Sequence, residues 1–256
     1  MIEQMFLSKG SMETHWDQSF RDQMAGQAQN NAPVEALVRF VSHYLRARYS
    51  NPDFYHDLRF LEMGSGTGAN LTWLAESGIQ ANGIDISPLA LKICRERFED
   101  KKLKKYLGDL RHGSVTDLPF PDCSFDGVIE SCVFQHLAKT DREKAHSEAV
   151  RVVKKGGIFV GHMLSRTHTT YRALRKFQQK DDPGTLILEN GSSKGKINLE
   201  TIGLTHFFSK REFKSLLHGC SIIEPCESSY ELPREEAKRR GYNNYRHVMW
   251  IVYAIK

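Results

Sequence analysis

Leu61-Glu62-Met63-Gly64-Ser65-Gly66-Thr67-Gly68-Ala69-Asn70 is the stretch that decides how this chain folds. An apolar strand end runs into three glycines at alternate positions, and a helix-forming segment follows. Glycine is needed where a backbone must turn sharply after a strand and lie against a ligand. The helix behind such a turn presents its free N-terminal amides to that ligand. Gly64-Ser65-Gly66-Thr67-Gly68-Ala69 also satisfies the G-x-G-x-x-G/A fingerprint of dinucleotide-binding folds. The loop alone does not separate NAD from another adenosyl ligand.

Outward from the loop, strand and helix patterns alternate. Leu58–Met63 reads as a first strand and Asn70–Glu76 as the helix behind it. Ile79–Ile86 reads as a second strand. Ser87-Pro88 then opens a helix to about Glu99, with serine as cap and proline at the first helical position. A lysine-rich stretch, Lys101–Lys105, precedes a weaker strand over Leu110–Val115, and Phe125–Cys132 is a fourth strand. The pattern predicts a helix over Thr140–Val153, stopped by Gly156-Gly157, and a fifth strand over Gly157–Leu164. Such alternation predicts a parallel sheet covered on both faces, with the ligand beyond the carboxyl ends of the strands.

Upstream, residues 1–30 are polar with isolated large side chains (Phe6, Trp16, Phe20, Met24), which suits a partly helical arm. Asn31-Ala32-Pro33 reads as a helix start with Pro33 in the first turn. Leu37, Val38, Val41, Tyr44 and Leu45 continue at helical spacing until Asn51-Pro52. Downstream the rhythm breaks. Ser165–Thr205 holds a basic helix-like stretch from Arg166 to Lys180, then Asp181-Asp182-Pro183-Gly184 and a polar loop. Ser209–Leu217 reads as a short helix, and Ile222–Tyr230 and His247–Ile255 as two closing strands with a charged connection.

The 256 residues suit one large domain, or one domain with a small lid. With 40% hydrophobic and 26% charged residues, the composition is that of an ordinary soluble globular protein. A net charge of +5 falls short of the dense basic surface of a dedicated nucleic-acid binder. No apolar run approaches the roughly 18 residues of a membrane span. Met1 to Gly10 lacks the basic and apolar regions of a signal peptide, so none is expected. Five scattered cysteines without a Cys-x-x-Cys pair argue against a disulfide framework or a zinc site, and a reducing cytoplasm is the expected setting.

Three features speak against NAD. Glu62 stands two residues before Gly64, where a dehydrogenase strand carries an apolar residue; a carboxylate there can face a ligand ammonium, which NAD lacks. Asp117, in Ser114-Val115-Thr116-Asp117-Leu118-Pro119-Phe120, follows the third strand, where it can meet an adenine amino group. Phe125-Asp126-Gly127-Val128-Ile129-Glu130-Ser131 then follows at the expected distance. Together with Gly83-Ile84-Asp85-Ile86-Ser87 and Lys155-Gly156-Gly157, these segments resemble class I S-adenosylmethionine-dependent methyltransferases of the small-molecule, type 11-like kind. The resemblance covers residues 55–165 firmly and continues weakly through the closing strands. It implies an α/β Rossmann-like fold: a seven-stranded, mostly parallel sheet with helices on both faces, an antiparallel last strand, an N-terminal cap and a lid insertion after the fifth strand.

By the same resemblance, Gly64, Ser65, Gly66 and Gly68 let the backbone approach the donor S-adenosyl-L-methionine, and Glu62 sits near its ammonium. Asp85 holds the ribose hydroxyls with Ile86 against the adenine. Asp117, flanked by Thr116 and Leu118, takes the adenine amino group. Glu130 or Ser131 offers a carbonyl to the ammonium. Trp16, on the arm, folds over the donor. His136, in Phe134-Gln135-His136-Leu137, and His162, near the end of the fifth strand, are the candidates for base or acceptor partner; a structural histidine is the blander reading of each. The expected organisation is residues 1–50 as arm and cap helix, 51–164 as donor-binding core, 165–207 as substrate lid and 208–256 as the rest of the sheet. The expected acceptor is a small molecule, and the basic run Arg166 to Lys180 could face an anionic one. RNA methylation is the alternative and a non-catalytic donor-binding protein the lesser one. No metal or membrane partner is expected, and the chain is read as a monomer or homodimer.

Overall fold

The computed structural model describes residues 9–29, 31–188 and 203–256. Two helices, α1 (Lys9–Ala25) and α2 (Glu35–Arg48), lead into β1 (Arg59–Met63) and α3 (Ala69–Glu76). Next come β2 (Gln80–Asp85), α4 (Pro88–Asp100), β3 (Leu107–His112), β4 (Phe125–Ser131), α5 (Lys139–Val152) and β5 (Val153–Leu164). A short helix α6 (Thr169–Leu174) and a separate antiparallel pair, β6 (Thr185–Leu188) and β7 (Gly203–His206), follow. The described chain closes with α7 (Glu212–Leu216), β8 (Ile222–Glu231), α8 (Arg234–Arg239) and β9 (Arg246–Ile255).

The main sheet has the order β3-β2-β1-β4-β5-β9-β8. The five strands from β3 to β5 are parallel, and β9 runs antiparallel to both β5 and β8. The reversal at β1/β4 is the switch point where a parallel sheet opens a crevice for a ligand. The period of two along β1 divides the core. Phe60 packs with α2, α3 and α4 through Leu37, Val41, Leu71, Leu74 and Phe98. Leu61 and Met63 pack with Ala145 and Ala149 of α5 on the other face. Helices thus cover both faces, as the alternating pattern requires.

Gly127 shows how tightly β1 and β4 pair. A Cβ there would run into the ring of the fully buried Phe60. Gly127→Ala is expected to lower stability by about 1–3 kcal/mol through overpacking. Denaturant unfolding checks this, and a midpoint equal to that of the parent would show that the Phe60 ring moves aside freely.

Several boundaries differ from those read in the sequence. Pro33 stands outside α2, whose cap is Val34. The third strand begins at Leu107, three residues early, because Leu107 and Leu110 pack beside α4 and leave Gly113–Asp117 as free loop. The glycine pair does not stop α5. The chain passes from Val152 straight into β5, and Gly156, at φ +77°, lies within that strand where the pairing with β4 slips. The polar segment after Gly184 contains the β6–β7 pair, whose four-residue strands are too short for a periodicity to show. Residues 189–202 of the expected lid lie outside the described residues, as do residues 1–8 of the expected arm.

Candidate active site

A cavity of about 690 Å³ opens over the carboxyl ends of β1, β2, β3 and β4, within the ~300–1,000 Å³ range of small-molecule sites. Its walls are the glycine loop, Asp85-Ile86, Gly113–Asp117, the segment Ser131–Ala138 with Asp141, and one side of α1.

The glycine loop is shaped by backbone bonds. Gly64 and Ser65 both donate N–H to the Ile84 carbonyl, at 2.8 and 3.0 Å, which pulls the turn against β2. Gly64 has φ +76°, and a Cβ there would clash with Val133, so glycine is required twice over. Gly68 does a different task. It caps α3 in the left-handed region and lies against Cys94 of α4, outside the cavity lining. Of the four loop residues expected at the donor, Gly64, Ser65 and Gly66 line the cavity, and Gly68 lets two helices close beneath it.

Glu62 is only 2% exposed. One carboxylate oxygen accepts a 2.7 Å bond from Asn70 Nδ2; the other is buried with no partner. Burial, followed by the nearby Asp85 and Glu130 charges, pushes its carboxyl up to about 8 despite the Asn70 bond. The arrangement lacks one cation or donor. Asn70 is a cavity residue that the sequence reading did not single out. Its Oδ1 accepts the Val34 N–H at 2.8 Å while its amide holds Glu62, so it joins α2 to the site. No motif announces it, because both partners are distant in sequence.

Asp85 lies at the end of β2 and accepts N–H bonds from Gly66 at 2.7 Å and Ser87 at 2.9 Å. It therefore braces the loop as well as facing the cavity. Burial raises its carboxyl, opposed by these backbone bonds. Ile86, Thr116 and Asp117 also line the cavity. Leu118 does not. Its N–H donates to Glu148 of α5 at 2.7 Å, and its side chain sits in the core. Glu130 is likewise set aside from the lining. Its Oε1 accepts N–H bonds from Val133 and Phe134, which folds the turn after β4, and burial pushes it up to about 7. Ser131 is the member of that pair on the cavity wall.

Helix α1 closes the top. Asp17 accepts the Ser87 hydroxyl and the Leu89 N–H at the start of α4, and Glu13 meets His112 at 3.2 Å. These ties bring Trp16 and Phe20 onto the cavity. Trp16 packs edge-on against His136, with centroids 5.3 Å apart, and Phe20 lies over Gly66.

The two candidate histidines part company. His136 lines the cavity, buried. Its Nδ1 lies 3.2 Å from the Leu204 carbonyl and its Nε2 lies 3.2 Å from the Gln135 amide nitrogen. Burial holds it down to about 4, so the ring is neutral. His162 is absent from the lining. Strand alternation places it on the Ile158 and Val160 face of β5, where its Nδ1 meets Cys132 Sγ at 3.7 Å. Nearness to the strand end is not enough, because β5 contributes its carboxyl end to the insertion rather than to the cavity. Cys132 is a cavity residue that the sequence did not flag, and it adopts φ +60° at the bend out of β4.

The residues present fit an S-adenosyl donor. The unpartnered Glu62 oxygen suits an ammonium. Asp85 and Asp117 stand in the cavity at the ends of β2 and β3, where hydroxyls and an amino group can be bound. Close backbone approach is possible at Gly64 and Gly66.

Residues 61–161 match the family described as "Methyltransferase domain". The chain is 37% identical over 100 residues to a demethylmenaquinone methyltransferase of Tropheryma whipplei (strain Twist), covering 39% of each chain. It is 29% identical over 167 residues to a probable S-adenosylmethionine-dependent methyltransferase of Mycolicibacterium smegmatis, covering 64% of this chain and 61% of that one. The match thus spans about two fifths of the first relative's length and less than two thirds of the second's. A crystal structure of a S-adenosylmethionine-dependent methyltransferase from Methanosarcina mazei superimposes with a TM-score of 0.57 at 20% identity, covering 77% of this chain and 92% of that one. Residues 61–161 thus match a methyltransferase domain, and the described chain shares the fold of that S-adenosylmethionine-dependent methyltransferase.

Proposed function

We propose that this protein is an S-adenosylmethionine-dependent methyltransferase that passes the methyl group by in-line displacement to a small-molecule acceptor. The observation that carries the reading is the convergence of Glu62, Asp85 and Asp117 with the glycine loop in one cavity at the switch point. In this reading Glu62 takes the donor ammonium, Asp85 the ribose hydroxyls and Asp117 the adenine amino group, with Ile86 and Thr116 beside the ring. The donor supplies an electrophilic methyl on a positive sulfur. The chain aligns an acceptor with it and excludes water, which supplies roughly 7–11 kcal/mol where alignment is good. Helix α1 is the cap, and the insertion between β5 and α7 borders the acceptor end through the Leu204 carbonyl on His136. A small acceptor agrees with the enclosed site and with the demethylmenaquinone enzyme among the relatives. Among the described residues no helix is long and apolar enough to cross a membrane, and we place the protein in the cytoplasm.

Calorimetric titration with S-adenosylhomocysteine and, separately, NAD tests the reading. The first is expected to bind at micromolar concentration and the second not at all; the reverse order would overturn the proposal. The Glu62 carboxyl adds a sharper signature. At about 8 it is mostly protonated at pH 7, and an arriving ammonium favours its ionised form. Binding of S-adenosylhomocysteine at pH 7 is therefore expected to release nearly one proton. Titration in buffers of different ionisation enthalpy reads that number, and Glu62→Gln should abolish it. Release that persists in the variant would assign the proton to another group.

A further inference from the structure

We propose that the acceptor is a small amine, bound at the Asp141 end of the cavity and methylated on its free-base nitrogen; this rests on the methyltransferase reading above. Among the described residues lining the cavity, the charged ones are Glu62, Asp85, Asp117 and Asp141, and none is lysine or arginine. The first three belong to the donor half. Asp141, in the first turn of α5, follows directly on the wall Ser131–Ala138 and is the carboxylate left over for the acceptor. Its side chain is 45% exposed, with the more exposed Lys144 at 3.8 Å. The basic stretch from Arg166 to Lys180 is absent from the lining. Arg166 is spent on the Phe207 and Pro183 carbonyls and on Glu212.

Among the described residues the acceptor half also lacks a free imidazole. The Leu204 carbonyl can only accept, so His136 Nδ1 carries the ring proton. Gln135 Oε1 is occupied by the Leu164 N–H at 3.0 Å, so its amide nitrogen faces His136 and donates to Nε2. Both ring nitrogens are committed, in a tautomer assigned by their partners. Gln135 is thus the residue that holds His136 as a neutral wall under Trp16 rather than as a proton acceptor.

These constraints sort the possible nucleophiles. Carboxylates, phosphates, thiolates and phenolates enter as anions beside Asp85, Asp117 and Asp141, and among the described lining residues no lysine or arginine receives them. An alcohol must lose a proton during transfer, and His136 is engaged. An amine needs neither. Its ammonium form, dominant in water, is drawn to Asp141 and gives its proton to solvent before transfer. The nitrogen lone pair then forms the N–C bond as the C–S bond breaks, with that bond's electron pair remaining on sulfur. The positive charge passes from sulfur to nitrogen, which keeps its remaining hydrogens. The reacting sulfur and nitrogen together carry one unit of positive charge before and after the step, and the cavity carboxylates and the Trp16 ring suit a cation throughout.

The test uses full-length protein saturated with S-adenosylhomocysteine, titrated with aryl-alkyl amines and with alcohols and carboxylates of matching skeleton. Mass spectrometry of reactions with S-adenosylmethionine supplies the second readout. Amines are expected to bind at least tenfold more tightly than their matched alcohols, to be the members that gain 14 mass units, and to leave carboxylates unbound. Asp141→Asn should weaken amine binding about 3- to 5-fold, as for a partly exposed ion pair, while S-adenosylhomocysteine and alcohol binding stay unchanged. Carboxylates binding as well as amines, amines binding no better than alcohols, or no amine binding at all would each overturn the amine assignment while S-adenosylhomocysteine binding leaves the methyltransferase reading standing. Failure of S-adenosylhomocysteine itself to bind would remove both.

Discussion

Asp85→Asn is expected to weaken S-adenosylhomocysteine binding by about 10- to 100-fold, equal to roughly 1.4–2.8 kcal/mol, although the substitution replaces a single oxygen. Asp85 accepts from two backbone N–H groups, Gly66 on one oxygen and Ser87 on the other. An asparagine has one oxygen for two donors, so its NH2 must face an N–H in a buried position. Such an unmatched donor costs about 1–3 kcal/mol. The cost falls on the loop that must lie against the donor, and the carboxylate proposed for the ribose is lost as well. Calorimetry reads the affinity, and scanning calorimetry reads a fall in Tm of about 2–10 °C, at roughly 2–4 °C per kcal/mol for a chain of this size. Affinity within threefold of the parent would show that Asp85 neither holds the ligand nor shapes the loop.

Arg142→Met should cost the most stability, about 3–5 kcal/mol, because it strips the partner from a buried carboxylate. Arg142 is 3% exposed. Its guanidinium donates to Asp182 at 2.7 Å and to the Leu137 carbonyl at 3.0 Å. One side chain thus joins α5, the insertion and the cavity wall that carries His136. Burial works against Asp182, but the Thr185 hydroxyl and Arg142 hold its carboxyl below the usual range. Removing Arg142 leaves that charge buried, and Tm is expected to fall by roughly 10 °C. The double variant Arg142→Met/Asp182→Asn separates causes. Recovery of about half the loss would assign it to the orphaned carboxylate; no recovery would assign it to the Leu137 contact and packing.

Asp182 also meets Thr185, whose hydroxyl is 2.7 Å from His206, and His206 lies 2.9 Å from Glu212. This chain of polar groups explains how an insertion with two four-residue strands is anchored. The sequence showed Asp181-Asp182-Pro183-Gly184 only as a turn, and the pairing of Asp182 with a residue 40 positions earlier leaves no local trace. His206 reads from sequence as a neighbour of packing aromatics; its carboxylate partner is visible only when α7 is folded beside it.

The cavity residues proposed for the donor could be picked out in the sequence because they stand at fixed offsets from strand ends. Glu62, the glycines, Asp85 and Asp117 each stand where a parallel strand must end and turn, and strand ends can be read from apolar runs and glycine. Leu118 and Glu130 each stand one residue from the cavity lining, beside Asp117 and Ser131, since only the side to which a loop turns separates a wall residue from its neighbour. His136 and His162 look equivalent in the sequence. His162 stays within the sheet, behind the wall residue Cys132, and the Val133–His136 turn carries His136 inward.

The sequence by itself determined the class of fold, the order of its elements and the carboxylates that stand at the strand ends, because these depend on local periodicity and on residues near in the chain. Tertiary structure decided what depends on distant contacts. It set Trp16 over the cavity through ties between α1 and α4, made Gln135 and the Leu204 carbonyl fix the state of His136, and left the described basic stretch from Arg166 to Lys180 out of the cavity lining. The Asp17–Ser87, Gln135–Leu164 and His136–Leu204 pairings behind these outcomes span tens of residues, and no spacing in the chain encodes which partners meet once the sheet has closed.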